Sequence, residues 1–551
     1  MRLVEIRDLD GPNIFLLQPA IKLELGIEAN DVTADAIAAL ADRLEPLAPT
    51  DDERAEGPEA LGELLIAACA ALHERAGEES PEIRWIPMEA PRQWTLAFGW
   101  ERRRFALTLA RLLAEAAVGA SDHLGDASTT LRPLLAGDDP HDRPGMIRDA
   151  DRSLPVIAVT GTNGKTTTTR LIAHILRGIG MKVGWTSTVG VYIEGENVLP
   201  GDYTGPAGAW RVMREPGLDA AVLETARGGI LLRGMACESN DVSVMTNITG
   251  DHLGLHGVLT VEGLAEVKSV VLRTTRPDGW TVLNADDPLV RGQAAGVHAS
   301  IIWTSQHPAN PTVVAHCQAG GRAVITADGW VTEIWGDESQ PILHLAEAPI
   351  TFGGQARHMV ENVLNATGAA LAMEVGRDHI AAGLRSFGTN PDDNVGRLHV
   401  YDLHGATVVL DYAHNEAGLT HLLSLARSYL APDGRLTTII GTAGDRTDAA
   451  LREIGRLAAV ASDRVVVKET HRYLRGRANV DEMTALYVGG IEAGGDTAHV
   501  VASDELDALD KALAGIRPGD AVAMMCIETG PESRAHVEAL GGTVRGPRPD
   551  R

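Results

Sequence analysis

The chain has 551 residues, more than one hydrophobic core accommodates, and a formal charge of -26 at pH 7 that opposes docking on nucleic acid or an anionic membrane. Hydrophobic residues at 44% and charged residues at 23% exclude wholesale disorder, and aromatics at only 4% leave core building to Ala, Val, Leu and Ile. Cys69, Cys237, Cys317 and Cys526 form no CxxC or Cys/His cluster, which argues against a zinc site or disulfide framework and for a reducing compartment.

In chain order, a strand is expected near residues 3–6, followed by helices in AIAALADRL and ALGELLIAACAALHERA on their apolar spacing. The run GDDPHDRPGMIRDADRS has the composition of an exposed linker. From residue 154 short apolar runs (PVIAVT, DAAVLET, DVSVMTNI, WTVLNADD) alternate with helical segments, the pattern of a mostly parallel sheet covered by helices. Further β-like runs follow in SIIWT, TVVAHC, AVITA and WVTEIW, then a helix over 360–374. A second α/β series begins near Arg397 with ATVVLDYAH, RLTTIIG, RVVVKE, HVVA and AVAMMC. The expected units are 1–152, 153–390 and 391–551. No cationic segment leads into an apolar run at the N-terminus and no stretch is long enough to span a bilayer, so a cytoplasmic protein is expected.

The strongest local signal is VIAVTGTNGKTTTTRLIAHIL. An apolar strand runs into a glycine turn and then into a helix that begins at the lysine. Backbone N–H groups and the helix N-terminus therefore converge where a phosphate fits. Gly161, Thr162, Asn163, Gly164, Lys165, Thr166 and Thr167 form this cradle, Lys165 facing the β- and γ-phosphates of ATP and Thr166 offering its hydroxyl to Mg²⁺. Val159 stands where the general pattern has its first glycine.

GTNGKTT in this setting resembles the Mur ligase family. The resemblance implies a multi-domain α/β fold: a central P-loop parallel-sheet ATPase domain, a Rossmann-like C-terminal domain and a smaller α/β N-terminal domain. It also implies ATP-dependent, ADP-forming joining of a carboxylate to an amine through an acyl-phosphate. By resemblance Glu224 (in DAAVLETARGGILLRG) and His252 (in TNITGDHLGLHG) are Mg²⁺ ligands, and Lys268 (in VEGLAEVKSVVLRT) is the lysine that is often carbamylated. Read on its own, Lys268 would be a solvated lysine on an amphipathic helix. Asn284 and Asp286 in VLNADDP fall where the family contacts nucleotide, with a strand-ending turn as the alternative. ARHMVENVLNATGAALA matches the helix leading out of the central domain, with His358 and Asn362 in register and Met359 in place of the usual asparagine. Arg397 and Asp411 are expected to meet ATP as the third domain closes. Tyr412, His414 and Asn415 are expected to shape the interdomain cleft, with Glu416 replacing the family's proline. Arg446, Arg475 and Arg477 are placed to orient anionic substrate groups.

ETARGGIL, GDYTGP, ITGDHLGLHG, LAEVKSVV and RGR resemble the C-terminal half of cyanophycin synthetases, and DLDGPNIF and WTLAFGWERRRFALTLARLL resemble pieces of their first domain. The ATP-grasp domain that separates those regions there has no counterpart here, so one kind of amide bond is expected. The substrates expected are small amino acids or peptides, with arginine the first donor to consider, and the protein is expected to be a homo-oligomer that binds neither nucleic acid nor membrane. The alternative is a nucleotide-binding subunit that works with a separate ATP-grasp ligase.

Overall fold

Residues 2–99 contribute an antiparallel sheet with strand order Arg2–Leu9, Ala20–Gly26, Gln93–Gly99, Ile83–Pro87. The computed structural model describes residues 1–44, 56–120, 127–137, 139–251, 253–390 and 392–545. Alternation along the strands sends Ile21, Leu23 and Leu25 to one face and Lys22 and Glu24 to the other. Helices Ala34–Leu44, Pro58–Ala76 and Arg103–Ala117 cover the apolar face. The last of them buries Phe105, Leu109 and Leu113 at helical spacing, each contributing roughly 1.5–3 kcal/mol.

Part of the expected linker is tied to the next unit. Ile147 bridges in parallel to Cys237, and the largely buried Arg152 side chain pairs with Asp149 and Asp241 and donates to Ser239 Oγ. The polar composition reflects these ion pairs as well as exposure.

The second sheet has eleven strands. At its centre Val156–Thr160 lies between Asn240–Met245 and Ala220–Glu224, all parallel. Val183–Ser187 extends the parallel run on one side, and Thr275–Asn284, Ser300–Ser305 and Arg322–Ala327 extend it on the other. Antiparallel hairpins close both edges. TVVAHC, expected as β, is helix Pro311–Gln318: Asn310 Oδ1 accepts from Thr312 N and Pro311 fills the first turn, which outweighs the β-branched Thr312, Val313 and Val314.

The third sheet runs Ala498–Ala502, Arg464–Lys468, Leu436–Ile440, Ala521–Met525, Ala406–Asp411 in parallel, with His399–Leu403 and Thr543–Val544 antiparallel at its edge. In both large sheets the chain reverses its direction of strand addition at the central strands, which opens a crevice at their carboxyl ends. The two crevices face each other across one cavity.

Candidate active site

Strand Val156–Thr160 ends at Gly161, and helix Lys165–Gly178 begins four residues later. Gly161 has φ +140 and Gly164 φ +85; a Cβ would lie 2.0 Å from Thr246 Oγ1 at the first and 2.1 Å from Asn362 Oδ1 at the second. The loop is pinned from the next strand: Thr162 N donates to Asn247 O at 2.7 Å, Asn163 N to Asn247 Oδ1 at 2.9 Å, and Thr246 Oγ1 to Asn163 O at 2.6 Å. The helix N-terminus therefore opens, in a fixed conformation, onto a cavity of about 250 Å³ between the second and third sheets.

Two lysines rest on the loop carbonyls. Lys165 Nζ donates to Thr162 O at 2.8 Å, and Lys268 Nζ reaches from helix Val261–Arg273 to Gly161 O at 2.6 Å. Lys268 is 4% exposed, which excludes the solvated surface lysine. Burial, reinforced by the Lys165 charge, holds its pKa well below the usual lysine range. Burial also lowers Lys165, with Glu224 and Asp251 opposing.

Glu224 ends its strand 2% exposed. Its Oε2 accepts from Thr166 Oγ1 at 2.9 Å, and its Oε1 is buried with no hydrogen-bond donor among the described residues. Burial raises its pKa, opposed by Lys165 and Arg397. An orphaned carboxylate oxygen beside a hydroxyl is a hard oxygen donor set, and Mg²⁺, which keeps most of its ligands as water and phosphate oxygen, fits it. His252 lies outside the described residues, and among those described no three His, Cys, Asp or Glu side chains converge as a metal cage.

From the third sheet, Arg397 Nη2 approaches Thr166 Oγ1 at 3.5 Å, and its guanidinium lies 4.5 Å from the Tyr412 ring centroid. Asp411, at the end of Ala406–Asp411, accepts from Leu398 N at 2.8 Å; burial raises its pKa against the pull of Arg397. Asn415 exchanges amide hydrogen bonds with Asn163 and caps helix Glu416–Ser428. Asp251 of the second unit meets Arg446 at 3.1 Å; Arg446 and Arg475 both pair with Asp445, at 3.6 and 2.8 Å. His414 Nε2 lies 3.8 Å from Asp251, and burial lowers its pKa despite that partner. His358 and Asn362 line the cavity with Met359, the His358 ring stacked on His421 with centroids 5.1 Å apart; burial takes His358 down to about 3.

Not every candidate reaches the cavity. Asn284 and Asp286 build the strand-ending turn: Asn284 Oδ1 accepts from Asp286 N at 3.0 Å, and Asp286 accepts from Ser305 Oγ at 2.6 Å and Gln306 N at 2.7 Å. Neither residue lines this cavity. Arg477 stands behind Arg446, donating to its carbonyl at 2.7 Å and pairing with Asp448 and Glu482. The sequence reading missed Asp202, Arg227, Asn247 and Asp251, all of which line the cavity. All four stand in motifs that offered a signal: Asp202 in GDYTGP, Arg227 in ETARGGIL, and Asn247 and Asp251 in TNITGDHLGLHG.

A phosphate loop at the switch point of one open sheet, faced by the carboxyl ends of a second, defines a two-domain α/β nucleotide site. Residues 159–370 match the Mur ligase middle domain and residues 396–526 the Mur ligase glutamate ligase domain. The UDP-N-acetylmuramoyl-L-alanyl-D-glutamate–2,6-diaminopimelate ligase of Gloeobacter violaceus is 30% identical over 379 residues, 68% of this chain and 72% of that protein. The chain belongs to the Mur ligase family. Cyanophycin synthetase of a Synechocystis strain is 40% identical over 360 residues, 65% of this chain; the match spans 41% of that relative's length. E. coli FolC in complex with DHPP and ADP shares the fold, with TM-score 0.52, 20% identity and coverage of 70% of this chain and 89% of that one.

Proposed function

We propose that the protein is an ATP-dependent, ADP-forming carboxylate–amine ligase. The observation that carries this reading is the convergence of Lys165, Thr166 and Glu224 from one sheet with Arg397 from the other at a single cavity. Loop N–H groups and Lys165 bind and orient the polyphosphate of ATP, and Thr166 and Glu224, with His252, are the residues to hold Mg²⁺. When bound, that cation screens the repulsion between an incoming carboxylate and the γ-phosphate. The acceptor carboxylate oxygen bonds to the γ-phosphorus as the bond to ADP breaks. The amine nitrogen then bonds to the acyl carbon, phosphate leaves, and the nitrogen loses a proton. Arg397, Arg446 and Arg475 stabilise charge from the third unit, and closure of that unit excludes water.

Lys268, whose charged form burial disfavours, is suited to add to carbon dioxide through its neutral amine, giving a carbamate and releasing a proton. The donor amine we favour is arginine and the acceptor an acidic amino acid or peptide, joined by one kind of amide bond. The same chemistry suits a reducing cytoplasm, where the four buried thiols stay free.

The test is ADP release by the purified chain with ATP, Mg²⁺ and an acidic peptide, with and without arginine or other amines, products being read by mass. Amine-dependent ADP release with a matching adduct supports the ligase. ATP turnover independent of every amine, or turnover only after adding a separate ATP-grasp ligase, removes it.

A further inference from the structure

The segment that follows strand Asn240–Met245 is the partner of the phosphate loop, and the group that grips the loop is the Asn247 carboxamide. Its Oδ1 accepts from Asn163 N at 2.9 Å, and its Nδ2 donates to Asn163 O at 3.2 Å. The amide thus clamps one loop residue at two points, and the clamp closes in one orientation only. Turned over, the carboxamide would set its oxygen against Asn163 O and leave Asn163 N facing an NH₂ group. Glu361 supplies the third bond: its Oε1 accepts from Asn247 Nδ2 at 2.7 Å, which occupies the remaining hydrogen and holds the plane of the amide.

Glu361 stands on helix Arg357–Ala372, behind the cavity rather than in it, since Asn247 and Asn362 line that space and Glu361 does not. Val360, Val363 and Leu364 bury the helix in the core, so its polar side chains work from a rigid mount. Asn362 bears on the same loop: its Oδ1 accepts from Thr168 Oγ1 at 3.3 Å and lies 2.1 Å from where a Cβ on Gly164 would be. Asp287 holds the residue after Asn247, accepting from Ile248 N at 2.7 Å while it caps helix Pro288–Gly292. Desolvation of the partly buried Glu361 carboxyl raises its pKa to about 8; hydrogen bonds from Asn247 and Asn284 oppose the rise, and the charges of Asp287 and Asp286 add to it. At neutral pH the carboxyl is therefore mostly uncharged. Its oxygen still accepts from Asn247, while no full negative charge stands behind a loop built for a polyphosphate.

We propose that Glu361 is a positioning residue for the phosphate loop, holding the Asn247 carboxamide in the orientation that fixes Asn163 for nucleotide binding. The nucleotide rests on the ligase reading; the fixing of the loop does not, and two measurements on the full chain separate them. Amide hydrogen exchange over residues 160–165 without nucleotide reads the loop alone. There Glu361→Leu should exchange about tenfold faster, and Glu361→Gln, which keeps the accepting oxygen, should stay near wild type. Isothermal titration with Mg²⁺ and ADP reads the consequence: Glu361→Leu should bind about tenfold more weakly, the loss that one hydrogen bond at such a site accounts for, and Glu361→Gln should recover most of it. In the Asn247→Ala background Glu361→Leu should change neither reading further, because its effect runs through that amide. Glu361→Ala repeats both measurements should leucine fail to pack. Wild-type exchange and affinity in the leucine and alanine variants, a loss in Glu361→Gln as large as theirs, or an undiminished effect in the Asn247→Ala background overturns the inference. Faster loop exchange in Glu361→Leu without any ADP binding by wild type supports the positioning role and counts against the nucleotide reading alone.

Discussion

Asn163 in the phosphate loop and Asn415 at the start of helix Glu416–Ser428 face each other amide to amide across the domain boundary. Asn163 Nδ2 donates to Asn415 Oδ1 at 3.4 Å, and Asn415 Nδ2 returns a bond to Asn163 Oδ1 at 3.1 Å. Asn415 Oδ1 also accepts from Gly418 N at 2.9 Å, so one side chain both caps a helix and joins the third unit to the loop. Asn415→Asp keeps the cap and loses the donor. It should cost little stability yet lower kcat for ADP formation about tenfold, a ~1.4 kcal/mol effect on the barrier. Asn415→Ala should add a stability loss of about 1 kcal/mol in urea unfolding. Equal kcat in Asn415→Asp and wild type would remove the coupling role.

Lys165→Ala should lower ADP formation on the order of 10²–10³-fold, the usual loss when one charge stabiliser of a transition state is removed. Because burial already disfavours its charge, the fold should be unchanged or slightly more stable. Retained turnover, measured by coupled ADP detection, would break the phosphate-loop assignment.

Glu224→Ala should raise the Mg²⁺ concentration needed for half-maximal activity at least tenfold, and His252→Ala should act in the same direction. Isothermal titration with Mg²⁺ and ADP gives an activity-free reading of the same change. Unaltered metal dependence in both variants would dismiss the assigned ligand set.

The phosphate loop was legible because its chemistry is local: strand, glycine turn and helix are contiguous, and Gly161 and Gly164 occupy backbone conformations other residues avoid. Asp202, Arg227 and Asn247 were not legible as lining residues although they stand in GDYTGP, ETARGGIL and TNITGDHLGLHG, since the sequence does not show which side chains of a strand-end loop turn toward the phosphate loop; Asn247 does so by accepting from Thr162 N and Asn163 N. The hairpin of Gly190–Ile193 and Glu196–Pro200 escaped for a different reason. Its turn places Glu194 and Gly195 at φ 50 and 98, a geometry usually announced by Asn-Gly or Asp-Gly, and its strands are only four and five residues long. Asn284 and Asp286 looked the same in sequence whether they met a nucleotide or closed a turn; the structure shows the turn, in which Asn284 accepts from Asp286 N and Asp286 accepts from Ser305 Oγ and Gln306 N.

If Lys268 acts as a carbamate, Lys268→Ala should lose activity on the order of 10²-fold and regain part of it with millimolar formate or acetate, which supply the missing oxygens. Mass spectrometry of protein held under carbon dioxide should show a 44 Da addition that Lys268→Ala lacks, with 44 Da being roughly the mass of the added CO₂. A fully active alanine variant, or one that no short carboxylate rescues, would strike out the carbamate role.

The pair Lys468–Glu505 is the clearest pH-linked element of the third unit. Both side chains are fully buried, and Glu505 also accepts from Ile527 N at 2.6 Å, Glu528 N at 2.9 Å and Thr529 N at 2.7 Å. Burial alone would raise its carboxyl pKa, but Lys468 and these N–H groups outweigh it and bring it down to about 2. A depressed carboxyl stabilises the fold above its unfolded value near 4.5, and the stabilisation fades as pH falls toward 2, roughly 3 kcal/mol in all. Because Ile527 lines the cavity, the same bonds hold one wall of the site in place. Glu505→Gln strands the buried Lys468 charge and should cost about 3–5 kcal/mol at pH 7. Urea unfolding should therefore show wild type losing stability between about pH 5 and pH 2, with Glu505→Gln converging on it at the acid end. Parallel pH curves for the two proteins would mean that this pair does not carry the acid dependence.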